Sequence, residues 1–182
     1  IEQMVDKFVQ AAKEYQKAHP QFMIHLEDIS TEGDLAFKVE RRLNSEGFIS
    51  VHDDQHATAI VAVGAVWNSL RHLLGVSHME PNDPRLKDIK VVVYGTGAAG
   101  DPIIRILQKL GIGHVIAFDV NGLVYEGRNG DSSRLKEIAS FANSPESVES
   151  YLKKLNGRTF AKMRNDENTG IESSEILWEI LA

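Results

Sequence analysis

The 182 residues carry 42% hydrophobic and 25% charged side chains, a net charge of −6 and a pI near 5.6, the balance of a globular domain with a sizeable core rather than of a nucleic-acid partner, which needs concentrated positive charge. The absence of cysteine excludes disulfides, thiolate metal sites and cysteine nucleophiles, and fits a cytoplasmic setting. The longest apolar run, Ala57 to Leu74, is broken by Asn68, Arg71 and His72, so no membrane span is expected.

Met4, Val5, Phe8, Val9, Ala12 and Tyr15 recur at helical spacing and predict an amphipathic helix over 1–18. The chain enters it with neither a cap nor an initiating Met, and without a basic-then-apolar leader, so a portion of a longer, unexported protein is expected. His19-Pro20 stops the helix, and Gln21 to Leu26 reads as a short strand running out onto Glu27-Asp28. Carboxylates just past a strand's C-terminal end stand where α/β folds hold ligands, although a solvated turn with an Asp cap gives the same pattern. A second amphipathic helix is predicted over 34–46, with Leu35, Phe37, Val39 and Leu43 inward and Gly47 as its stop.

Phe48 to Val51 predicts another short strand, which delivers the adjacent carboxylates Asp53 and Asp54. A long helix over 57–74 follows, apolar nearly all round and expected in the middle of the domain. Two neighbouring carboxylates between elements are unfavourable unless they meet water, a helix N-terminus or a metal. Helix capping is one reading of the pair. The other joins one of them to Glu27 and Asp28 as an oxygen-rich set suited to Mg²⁺ or Mn²⁺. His52 and His56 have no third nitrogen or sulfur ligand, which argues against zinc and places them behind the ligands or at the surface.

Ser77 to Asp88, rich in Pro, Asn and Asp, reads as a surface connection. Lys90 to Tyr94 then forms a β-branched run that predicts a buried strand, and Gly95-Thr96-Gly97-Ala98-Ala99-Gly100 opens a helix over 103–110. A second buried strand, His114 to Phe118, ends in Asp119, 19 residues past Gly100. Glycines alone also mark ordinary turns, but strand, glycines, helix, strand and terminal Asp together form a dinucleotide fingerprint. Gly95 permits the turn, Gly97 lets backbone approach a pyrophosphate, Gly100 lets helix and strand pack, and the helix N-terminus supplies donors. Asp119 is placed to accept from the adenine ribose. With no arginine immediately after it, it is expected to favour NAD over NADP by repelling a 2′-phosphate.

Beyond the Asn121-Gly122 turn, Leu123 to Tyr125 continues briefly, and helices are predicted over 131–142, 146–155 and 173–181. No further buried strand follows Tyr125. The expected fold class is therefore α/β: a Rossmann-like parallel sheet with helices on both faces, incomplete in its second half. Residues 1–76 read as a metal-binding segment and central helix, 89–143 as a dinucleotide-binding βαβ unit, and 144–182 as a helical tail without an assigned role.

Four segments resemble, in order, the malic enzymes, oxaloacetate-decarboxylating malate dehydrogenases: Leu26-Glu27-Asp28-Ile29, Val51 to Val61, Gly95 to Gly100, and Asp119 to Arg128. The second and fourth are the most specific, and the likeness runs from about residue 1 to 143. It implies oxidation of malate by NAD or NADP to oxaloacetate, then decarboxylation to pyruvate and CO₂ with Mg²⁺ or Mn²⁺ as Lewis acid, in a cytoplasmic homo-oligomer. By position it implies Glu27, Asp28 and Asp54 as metal ligands with Asp53 beside them, and Gly95, Gly97, Gly100 and Asp119 as dinucleotide contacts. It supplies no catalytic residue here, because the family's tyrosine and lysine lie upstream of this chain and its nicotinamide-side asparagines in the missing strands. Ala57 stands where the family usually has glycine, reducing backbone freedom. Asp101 brings negative charge toward the expected pyrophosphate, weakening binding unless it points away. The other readings are a non-catalytic nucleotide-binding module and a structural remnant; the retained acids favour the enzyme.

Overall fold

The computed structural model describes residues 2–29, 34–128 and 130–142. The chain forms two compact units divided between Thr58 and Ala59. The helices expected over 146–155 and 173–181, and the tail over 144–182, lie outside the described residues.

The first unit runs α1 (Glu2–Ala18), β1 (Ile24–Leu26), α2 (Leu35–Ser45), β2 (Ser50–His52) and a π-helical turn (Asp53–Ala57). β1 and β2 are parallel, with Ile24 opposite Ser50 and Leu26 opposite His52. Val9 and Ala12 of α1 and Val39 and Leu43 of α2 pack with Ile24, Leu26 and Phe48, so the helical stripes read from the sequence bury together. Phe22 stands edge-on to both Tyr15 and Phe48, at ring distances of 5.2 and 6.0 Å, and fixes the entries to the two strands. Lys13 and Arg42 both pair with Glu46, at 2.5 and 3.0 Å, tying α1 to the end of α2.

The second unit runs α3 (Thr58–Leu73), a 3₁₀ turn (Pro84–Asp88), β3 (Lys90–Tyr94), α4 (Gly100–Lys109), β4 (His114–Asp119), β5 (Gly122–Leu123) and α5 (Ser133–Ala139). β3 and β4 are parallel, Val91 opposite Val115 through Tyr94 opposite Phe118, as a strand-helix-strand unit requires. The Asn121-Gly122 turn, with Gly122 at φ 105°, folds β5 back antiparallel onto β4, so the sheet is parallel except at its last strand. Its core joins Val93, Ile104, Leu107, Val115, Ala117, Val124 and Ile138.

Two expectations change here. The connection read as surface buries Met79 and Leu86, which are 4% and 0% exposed, because its apolar side chains pack down onto the core. α3 is apolar nearly all round, yet it buries only Ala59, Val63 and Leu70 and leaves Ile60 and Val61 exposed. No helix among the described residues is long and apolar enough to cross a membrane.

Candidate functional site

Because β1 and β2 run parallel, their C-terminal ends open on one rim, and the four acids follow directly: Glu27 and Asp28 after β1, Asp53 and Asp54 after β2. Side chains alternate faces along a strand, which sorts these residues by parity. On one face His25 Nε2 lies 3.7 Å from Glu27 Oε2 and 3.9 Å from Asp53 Oδ1. One ligand atom from each of the three lies within 4.8 Å of the others. Among the described residues this is the group that converges as a metal site does; the side chains of Glu27, Asp28 and Asp54 do not form such a group. Asp28 and Asp54 meet differently, the Asp28 N–H donating to Asp54 Oδ2 at 3.0 Å. Asp28 sits at φ 53°, a left-handed conformation that Asp tolerates better than most residues.

The π turn carries the second acid pair. Such turns recur at functional sites because the extra residue per turn re-aims side chains. The N-cap position of this turn is His52, which makes no side-chain cap bond, and Asp53 and Asp54 lie within its first turn. His56 Nδ1 accepts from the His52 N–H at 3.2 Å, which leaves the ring proton on Nε2, 3.1 Å from Glu40 Oε1. His52 itself is fully buried rather than at the surface. Its Nδ1 lies 3.7 Å from Asp54 Oδ2, and neither ring nitrogen is hydrogen-bonded; Gln55 Nε2 is also buried and unpartnered. Ala57 does not take a positive φ, so the freedom of the glycine usual at this position is not called upon. The donor set of carboxylates and one imidazole, with an unpartnered histidine behind Asp54, fits a hard divalent cation.

In the second unit β3 ends at Tyr94 and the chain turns through Gly95 at φ 112°, whose N–H still donates to Phe118 C=O at 2.8 Å. A Cβ at Gly100 would lie 1.7 Å from the Gly95 carbonyl oxygen, whereas one at Gly97 would meet nothing within 4 Å. The glycines thus divide their roles as the fingerprint requires: turn, open approach and close packing. Thr96 is buried, Ala98 and Ala99 are half-buried, and α4 starts at Gly100 with no side-chain cap; the Asp101 and Ile103 amides already donate to the Gly97 and Ala99 carbonyls and Pro102 has no N–H, so it is the Gly100 amide and those of the loop before it that can face an anion. The open cradle at Gly97 fits a pyrophosphate.

Asp101 points away from that cradle. It is 2% exposed and lies between two guanidinium groups, with Arg134 Nη1 3.0 Å from Oδ2 and Arg105 Nε bonded to Oδ1. Arg134 Nη1 also donates to the Thr96 carbonyl at 2.7 Å, and Arg105 forks onto Glu137 at 2.7 and 3.1 Å. The Glu137 hydrogen bond, and after burial's opposing effect the bond to Asp101, hold Arg105 above the ordinary arginine range. The weakening expected from Asp101 therefore does not apply: its charge is compensated inside the α4–α5 contact, and that contact grips the glycine loop.

Asp119 also has a partner that the sequence did not disclose. Arg128, nine residues on, binds both of its oxygens and reaches Asp131 as well. Burial pulls the Arg128 guanidinium down, but the hydrogen bonds to Asp119 and Asp131 outweigh it and leave the group above its usual value. The expectation that nothing compensates Asp119 is corrected accordingly.

The residues that sequence reasoning missed are His25, Arg128 and Arg134. His25 was legible in principle, standing two residues before Glu27 on the same strand face. Neither arginine stands at a spacing that marks its partner.

No family model matches the chain. It is 41% identical over 142 residues to the bifunctional malic/malolactic enzyme of Bacillus subtilis, covering 76% of this chain and 31% of that protein. It is 35% identical over 130 residues to the NAD-dependent malic enzyme of Geobacillus stearothermophilus, covering 71% and 25%. The crystal structure of the NAD-dependent malic enzyme from Thermotoga maritima superposes with a TM-score of 0.62 at 34% identity, covering 78% of this chain and 35% of that one. Further relatives are named as NADP-dependent malic enzymes. The chain thus spans about a third or less of the relatives it matches.

Proposed function

We propose that this chain, related in sequence and fold to a segment of malic enzymes, supplies the metal rim and the dinucleotide site of an enzyme that oxidises and decarboxylates malate to pyruvate and CO₂ with NAD or NADP. The observation that carries the reading is the hydrogen bond from Asp28 N–H to Asp54, which joins two acid pairs 26 residues apart at the ends of parallel strands. On the resemblance, and not on convergence of their side chains, we assign Glu27, Asp28 and Asp54 as the residues that would hold Mg²⁺ or Mn²⁺, with Asp53 and His25 beside them. When bound, the cation acts as a Lewis acid on the hydroxy acid and on the charge left when CO₂ departs. Gly95 to Gly100 hold the pyrophosphate against the start of α4. Acid and base groups come from elsewhere in the assembled enzyme, a homo-oligomer of the cytoplasm.

Calorimetric titration of Mn²⁺ into the full-length protein tests the rim. Asp54→Asn is expected to lower affinity by more than the roughly 10–100-fold lost when a group behind a ligand is removed, and Asp53→Asn by less. The reverse order would move the cation to the His25, Glu27 and Asp53 group. Unchanged affinity in both would remove the metal, and the decarboxylation with it.

His52 is the group behind Asp54. Its Nδ1, 3.7 Å from Asp54 Oδ2 and without a hydrogen bond, would be the donor that orients that carboxylate toward a bound cation. His52→Phe is therefore expected to weaken Mn²⁺ binding by about tenfold while the urea midpoint stays level or rises, since two buried unpartnered nitrogens are removed. A lowered midpoint with intact Mn²⁺ affinity would make His52 a packing residue only.

A further inference from the structure

Asp119 is the acid that the fingerprint reserves for the adenine ribose, but its acceptor capacity is largely in use. Arg128 Nη1 donates to Oδ1 at 2.9 Å and Nη2 to Oδ2 at 2.5 Å, while the Asn121 N–H donates to Oδ1 at 2.8 Å. A carboxylate offers about four acceptor sites, two on each oxygen, so Oδ1 is filled and Oδ2 retains one. A ribose diol held on both oxygens has no room.

Arg128 is equally committed. Its Nε donates to Asp131 Oδ1 at 2.8 Å, Nη2 lies 2.7 Å from the same oxygen, and Nη1 donates to the Leu123 carbonyl at 3.0 Å. Four of the five guanidinium N–H groups donate in this way and the second on Nη2 lies against Asp131 Oδ1, so little is left for a phosphate. The Arg128 and Asp119 side chains are each 10% exposed and that of Asp131 5%, so solvent does not loosen the cluster. It is a lock rather than a surface ion pair.

We propose that Arg128 determines cofactor specificity by withholding Asp119 from the 2′-hydroxyl of the adenine ribose, so that the site binds NAD without that contact and separates it only weakly from NADP. The inference rests on the glycine loop being a dinucleotide site. An unlocked Asp119 would attract the 2′-hydroxyl and repel a 2′-phosphate. Here the attraction is spent on Arg128, and the repulsion is offset by the guanidinium between Asp119 and the second carboxylate. Neither cofactor gains a fully charged partner.

The test compares NAD, NADP and NAD lacking the 2′-hydroxyl of its adenine ribose, titrated into the full-length protein by calorimetry. The 2′-deoxy analogue is expected to bind within about threefold of NAD, because a hydrogen bond to a free carboxylate would be worth tenfold or more. NADP is expected within about tenfold of NAD. Arg128→Met frees Asp119, so NAD should bind several-fold more tightly while the 2′-deoxy analogue stays unchanged. An analogue at least tenfold weaker than NAD in the unmodified protein overturns the inference alone, and so does a variant that loses NADP without gaining NAD. Absence of binding by all three overturns the dinucleotide reading and this inference with it. If Arg128→Met does not fold, the three-ligand series on the unmodified protein decides by itself.

Discussion

Gly100→Ala is expected to abolish dinucleotide binding and to lower stability by about 3 kcal/mol or more, the upper range for overpacking. The added methyl would lie 1.7 Å from the Gly95 carbonyl oxygen, half of a normal contact. The obstacle is backbone, and it is held in place: the Gly95 N–H is bonded to the Phe118 carbonyl at the end of the β3–β4 ladder. Relief requires α4 to move off the sheet, which displaces the Gly100 amide and the glycine loop that would face the anion. Gly97→Ala is the contrasting case. Its Cβ meets nothing within 4 Å and its φ is not positive, so stability should change by less than about 1 kcal/mol. Cofactor affinity should still fall, because the methyl stands where the pyrophosphate approaches. Urea unfolding paired with NAD titration on the two variants checks both effects; a Gly100→Ala protein of unchanged midpoint would show that the loop is not packed as described.

Asp101→Leu is expected to be as damaging for an electrostatic reason. Asp101 is 2% exposed and Arg134 8%, and removing the carboxylate takes away the charged partner 3.0 Å from Arg134 Nη1 while the guanidinium stays buried. Breaking one side of a buried pair typically costs about 3–5 kcal/mol, because the surviving charge stays desolvated. Arg134→Met should cost less, since Asp101 keeps Arg105, but it also frees the Thr96 carbonyl and so should weaken NAD binding. Urea midpoints order the two variants, and NAD titration of Arg134→Met reports the loop. Equal midpoints for Asp101→Leu and the unmodified protein would mean that the cluster carries no net charge burden.

What the sequence determined by itself is what lies within one element or one tight connection. The β-branched run Lys90 to Tyr94, the three glycines and the run His114 to Phe118 specify strand, turn, helix and strand locally, and so short a connection leaves parallel pairing as the outcome. The stripes of α1 and α2 were legible for the same reason: a period of 3.6 is written in consecutive residues. That two acid pairs share one rim also followed, because each ends a strand of one sheet.

Which of those acids face each other depends on packing between segments. Glu27 falls with His25 and Asp53 while Asp54 falls to Asp28, a sorting set by the register of β1 against β2 and by the π turn. Register is a relation between segments, and a shift of one residue would exchange the faces. The same holds for Asp101 and Asp119, whose charges look exposed in the sequence and are compensated in the fold by Arg134 and Arg128. A guanidinium on a long flexible stem takes whichever carboxylate packing brings within reach, and no periodicity of the chain encodes that choice.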